Sequence, residues 1–91
     1  MTESTVPPWV TLSLGSAHFR NGNLPEAEKA YKATITTDPK SGEALNNLAV
    51  VYMETNRLEE ADASLKAAKK TGFKVNPNLE QDIQDRLRKK P

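Results

Sequence analysis

Residues 46–61 read NNLAVVYMETNRLEEA, and residues 13–27 read SLGSAHFRNGNLPEA. Each begins as an apolar helical stretch, breaks at a short polar turn and resumes with acidic residues that open a second helix. Placing Leu14 on Leu48 fixes an offset of 34. At that offset Leu24 falls on Leu58, Glu26 on Glu60, Ala27 on Ala61, Lys32 on Lys66 and Ala33 on Ala67. The pairs Gly15 with Ala49, His18 with Tyr52, Gly22 with Asn56 and Tyr31 with Leu65 follow without a gap. A two-helix unit at this spacing signals a stacked array, in which one unit cannot bury its own apolar face and its neighbour completes it.

Working outward, Pro7 and Pro8 provide a helix entry, because the first turn does not need the N–H that proline lacks. Val10, Leu14, Ala17 and Phe19 then fit one face of a helix better than strict alternation. Asn21-Gly22-Asn23 is a turn in which Gly22 suits a left-handed position. Pro25 opens a second helix, with Glu26 and Glu28 near its positive end. Its buried stripe is Ala27, Ala30, Tyr31, Thr34 and Ile35, and Asp38-Pro39 stops it. A third helix runs from Ser41, a suitable N-cap, to about Thr55. Ala44, Leu45, Leu48, Ala49, Val51 and Tyr52 form its apolar face, and Asn56 takes the turn role of Gly22. The fourth helix spans Leu58 to about Thr71, with Ala61, Leu65 and Ala68 inward. Asn76-Pro77 caps a fifth helix, where Leu79, Ile83 and Leu87 make one apolar face.

Ninety-one residues with 27% charged and 36% apolar side chains suit one small, well-solvated domain. Aromatics are few (Trp9, Phe19, Tyr31, Tyr52 and Phe73) and alanine is frequent, which favours closely packed helices over a sandwich of strands. The absence of cysteine excludes disulfides, thiolate metal sites and cysteine nucleophiles. No apolar run approaches the roughly 20 residues that span a bilayer. The opening MTESTVPP lacks the basic and apolar regions of a secretory signal, so a cytoplasmic location is expected. The net charge of +1 is unevenly placed. Through Leu65 there are five Lys/Arg against nine Asp/Glu, and from Lys66 onward eight against three.

The period and its small and large positions resemble the tetratricopeptide repeat family. Laid on that pattern, residues 1–7 form a tail, 8–41 a first unit, 42–75 a second and 76–91 a capping helix. Leu14, Gly15, Gly22, Ala27, Tyr31 and Pro39 match characteristic positions in the first unit. Leu45, Leu48, Ala49, Tyr52, Ala61, Leu65 and Ala68 match in the second. Departures stand at Thr11 for a large residue, His18 for tyrosine, Thr34 for alanine and Phe73 for proline. The resemblance implies an all-α solenoid of two helical hairpins and a solvating helix, five helices in a right-handed stack. It also implies a concave groove lined by the first helix of each unit. The matching groove positions are Trp9, Leu12, Ser16, Phe19 and Arg20, then Glu43, Asn46, Val50, Met53 and Glu54. Trp9, Leu12, Phe19, Val50 and Met53 would make an exposed apolar strip, open to a partner or covered by the last helix or a second copy.

Chemistry is harder to find. His18 is the single histidine and has no accompanying nucleophile or carboxylate pair. Ser13 and Ser16 lack a G-x-S-x-G turn, and neither a phosphate loop nor a metal-spaced ligand cluster is present. The expectation is a non-enzymatic module, without metal or cofactor, that holds a peptide or helix of another protein or of its own parent chain. Some members of the family grip a terminal carboxylate with lysine, asparagine and arginine. Asn47 matches one such asparagine, whereas Leu12 and Ser16 replace the lysine and the other asparagine. The alternatives are self-association, head-to-tail included, and single-stranded RNA binding by the basic end. Lys66, Lys69, Lys70, Lys74, Arg86, Arg88, Lys89 and Lys90 form that end. Pairs Asp62–Lys66, Asp82–Arg86 and Asp85–Lys89 are expected to neutralise part of it, and KKTGFKVNPN at 69–78 is similar to unit ends of pentatricopeptide repeats, which read RNA.

Overall fold

The computed structural model describes residues 6–89, so most of the 1–7 tail and Lys90 lie outside the described residues. Helices form where the apolar period of three to four residues meets a start signal. They are α1 (Pro8–Arg20), α2 (Leu24–Thr37), α3 (Gly42–Glu54), α4 (Leu58–Lys70) and α5 (Pro77–Arg88). Prolines stand in the first turns of α1, α2 and α5. Ser41 Oγ accepts from the Ala44 N–H at 3.3 Å, and Asn76 Oδ1 accepts from the Asn78 N–H at 2.9 Å. Each cap satisfies a donor that the helix itself leaves unpaired.

The repeat extends to single hydrogen bonds. Gly22 and Asn56 take φ values of 77° and 62°. After them the Asn23 N–H bonds to the His18 carbonyl at 2.8 Å, and the Arg57 N–H to the Tyr52 carbonyl at 2.8 Å. This left-handed stop closes α1 and α3 in the same way and turns the chain directly into α2 and α4.

Packing is sequential: α1 on α2, α2 on α3, α3 on α4 and α4 on α5. The result is an elongated stack of 52 × 28 × 19 Å. Its core holds Ala27, Tyr31, Leu48, Ala49, Val51, Tyr52, Leu58, Ala61 and Leu65, and α5 adds Ile83. Small residues let the helices approach. A Cβ on Gly15 would lie 2.7 Å from the Tyr31 ring, so α1 and α2 touch where glycine leaves room.

Two residues, Leu14 and Met53, have environments that repeat equivalence alone does not set, and position in the stack explains both. Leu14 is 50% exposed, although Leu48, its repeat equivalent, is only 5% exposed. Leu48 has the preceding hairpin against it, and no helix precedes α1 among the described residues. Met53, expected on the open groove, is 7% exposed and belongs to the same buried cluster as Ile83 of α5. The cap therefore closes one end of the stack, and among the described residues no helix covers the other.

Candidate functional site

The walls of the concave cleft come from α1 and α3, and its base from α2. Ser16, Phe19 and Arg20 stand on one side, Asn47 and Val50 on the other, and Tyr31 lies beneath, around a cavity of about 230 Å³. Ser16 and Arg20 share a face of α1 because they are one turn apart. Tyr31 is buried, and its hydroxyl meets Ser16 Oγ at 3.1 Å, which fixes the ring beneath the cleft. The surface thus combines the apolar faces of Phe19 and Val50 with hydroxyl, amide and guanidinium groups. Arg20 is exposed and has no ion-pair partner among the described residues.

The structure separates the groove residues expected from sequence. Ser16, Phe19, Arg20 and Val50 come together. Trp9 is 67% exposed and does not line the cleft, and half-buried Leu12 packs against the core instead. Glu43 and Glu54 are exposed on α3 without lining it. Asn46 donates to Asn47 Oδ1 at 3.4 Å, and its own Oδ1 is enclosed without a hydrogen-bond partner. Tyr31 and Asn47 also line the cleft: sequence reasoning assigns Tyr31 only a packing role, and it matches Asn47 to a carboxylate-gripping asparagine without including it among the groove positions. Asn47 lies three residues before Val50, the spacing that sets both on one face of α3.

A shallower recess of about 510 Å³ lies on the other side, among Lys32, Ile35 and Thr36 of α2, Leu45, Leu48 and Tyr52 of α3, and Glu60, Ala63 and Ser64 of α4. An ion-pair cluster borders it. Glu28 pairs with Arg57, whose Nη1 donates to Oε2 at 3.1 Å, and with Lys32 at 3.0 Å. The Arg57 guanidinium lies 4.7 Å from the centre of the Tyr52 ring. The hydrogen bond from Arg57 holds the Glu28 carboxyl below its ordinary range. Reciprocally, Glu28 raises the Arg57 guanidinium and the Lys32 ammonium.

At the basic end, Lys66 pairs with Asp62 at 3.0 Å and Arg86 with Asp82 at 3.1 Å. The expected Asp85–Lys89 pair is replaced: Asp85 takes Arg88 and accepts from Gln81 Nε2 at 2.9 Å. Lys69 crosses from α4 to Glu80 of α5 at 2.6 Å. Of these pairs only Lys69–Glu80 ties the cap to α4, joined there by Gln84 Nε2 donating to Asp62 Oδ1 at 2.8 Å; the others lie within one helix. His18 is half-buried beside Asn23, 3.5 Å from its amide. Among the described residues, no group of three or more His, Cys, Asp or Glu could hold a metal. Nor is any described helix long and apolar enough to cross a membrane.

A stack of hairpins with a 34-residue period is matched by the Tetratricopeptide repeat family model over residues 12–73. The chain belongs to the tetratricopeptide repeat family. Two relatives fit that assignment. The Photosystem I assembly protein Ycf3 of Rippkaea orientalis (strain PCC 8801 / RF-1) is 31% identical over 90 residues, covering 88% of this chain and 52% of that protein. The Protein O-mannosyl-transferase Tmtc3 of Drosophila melanogaster is 42% identical over 48 residues, covering 53% of this chain and 5% of that protein. The chain thus spans about half of the first relative and a small part of the second. Tetratricopeptide repeats generally mediate contacts between proteins and are generally non-enzymatic.

Proposed function

We propose that the chain is a non-enzymatic scaffold module whose cleft between α1 and α3 holds a peptide or helix of another protein or of its parent chain. The observation that carries this reading is the convergence of Phe19, Val50, Asn47 and Arg20 on one recess over Tyr31. Apolar walls give affinity on contact, and the nearby amide and guanidinium set orientation. The relative named as a photosystem assembly protein supports a role in bringing proteins together. Four cations of the basic end are engaged with carboxylates, which weakens the RNA alternative.

The test is a selection of short random peptides on the intact chain, followed by binding to the Phe19→Ala/Val50→Ala double variant. Met53 is left alone because its truncation would disturb the core. The double variant is expected to weaken binding by roughly 30-fold or more while keeping its helicity. Undiminished binding by a folded double variant would place the partner site elsewhere.

A further inference from the structure

Among the described residues, the exposed large apolar side chains are Val6, Trp9 and Leu14, all on α1 or its entry. Val10, Leu14 and Ala17 stand four and three residues apart, the spacing of a seam along one helix face. Their repeat equivalents, Ala44, Leu48 and Val51, are all buried beneath neighbouring helices. Val10 and Ala17 are only half-buried, and Leu14 is half exposed. The seam lies on a different arc of α1 from Gly15, which meets α2, and from Ser16, Phe19 and Arg20, which line the cleft.

We propose that this seam is a homodimer interface, in which α1 of one copy packs antiparallel on α1 of a second about a twofold axis at Leu14. A second copy fits for three reasons. Leu14 is the middle residue of the thirteen in α1, so an antiparallel partner sets Leu14 on its own counterpart and branched Val10 near small Ala17. Such self-complementarity is what a twofold interface requires. Secondly, Arg20 is the single formal charge in α1. Antiparallel pairing places the two Arg20 side chains at opposite ends and opposes the helix dipoles. Thirdly, the far end of the stack cannot serve as the partner surface. There α5 presents Gln81, Arg86 and Arg88 to solvent, the arginines paired with Asp82 and Asp85, so head-to-tail contact would set Leu14 against polar groups and strip water from those pairs.

Val6, exposed at the entry of α1, extends the contact, whereas Trp9 shares the arc of Ser16 and stays outside it. A single helix pair still covers less than the roughly 800 Å² per partner of a standard stable interface. The dimer is therefore reversible, with a dissociation constant on the order of micromolar to tens of micromolar. It leaves the α1–α3 cleft of each copy open, and so does not depend on what the cleft holds.

The test uses sedimentation velocity on the intact chain from about 1 μM to about 1 mM, a range that brackets such a constant. The expected result is a monomer–dimer equilibrium that Leu14→Glu weakens by at least about tenfold. Because the chain has no cysteine, Leu14→Cys provides a second reading under mild oxidation. It should form a disulfide-linked dimer faster than Ala33→Cys, an exposed control on α2. A monomer throughout the range overturns the proposal. So does a dimer indifferent to Leu14→Glu, or equal cross-linking at both cysteines.

Discussion

At Gly15 a single methyl group decides how closely two helices approach. Alanine there gains about 1 kcal/mol of helix propensity, but its Cβ enters the buried Tyr31 ring. Overpacking costs about 1–3 kcal/mol, so Gly15→Ala is expected to lower the melting temperature. The second unit solves the same contact with Ala49 and Leu65. Transplanting that pair, as Gly15→Ala/Tyr31→Leu, should recover most of the loss in thermal denaturation. A rise in melting temperature for Gly15→Ala alone would contradict the close-packing account. Thr11 and Thr34 are the other informative pair. Each departs from the family pattern, and together they meet at 2.6 Å across α1 and α2. Their hydroxyls also reach the Pro8 and Ala30 carbonyls, at 3.1 and 3.0 Å. Two protons serve three contacts, so two of these bonds form at once. Thr34→Ala restores the residue usual in the family yet should cost about 1–2 kcal/mol in chemical denaturation, because a buried partner is removed. The sequence marked both departures, but their compensation was not legible, since no periodicity rule links hydroxyls 23 residues apart.

Elements hold together through contacts that the repeat does not copy. Glu28 of α2 and Arg57 in the turn before α4 tie the two hairpins, and no such strut joins α1 to an earlier unit among the described residues. Glu28 titrates below its ordinary 4.5 when folded, chiefly because Arg57 hydrogen-bonds its carboxylate. A depressed carboxyl stabilises the fold fully above the unfolded value and loses that contribution as pH falls through the folded value. Denaturant midpoints of the wild type should therefore fall from about pH 4.5 downward more steeply than those of Glu28→Gln. Matching slopes would remove the strut from the account. The cap depends on burial instead. Ile83→Ala should cost about 2–4 kcal/mol, a large share of the stability of so small a domain. Helix identities and both turn residues, Gly22 and Asn56, were legible because period, caps and left-handed positions leave local signals. The burial of Met53 under the last helix was one of the alternatives left open in the sequence, because it depends on where α5 lands.

For the whole molecule, two ends and two sides have different characters. Among the described residues, the α5 end is polar and tied to α4 by the Lys69–Glu80 pair, and the α1 end exposes Val6, Trp9 and Leu14. The repeat made the stack legible, but repeat equivalence breaks down at its ends, which is why Leu14 and Leu48 share a position and not an environment. Equivalence also misplaced Trp9, since a groove position at the entry of α1 has no neighbouring wall. Between the ends, the α1–α3 cleft is where a partner is proposed to sit. The most direct test is a two-dimensional amide NMR titration of the intact chain with a peptide selected on it. The account predicts shifts centred on Ser16, Phe19, Arg20, Tyr31, Asn47 and Val50. Shifts centred instead on Ile35, Leu45 and Ser64, around the opposite recess, would contradict it.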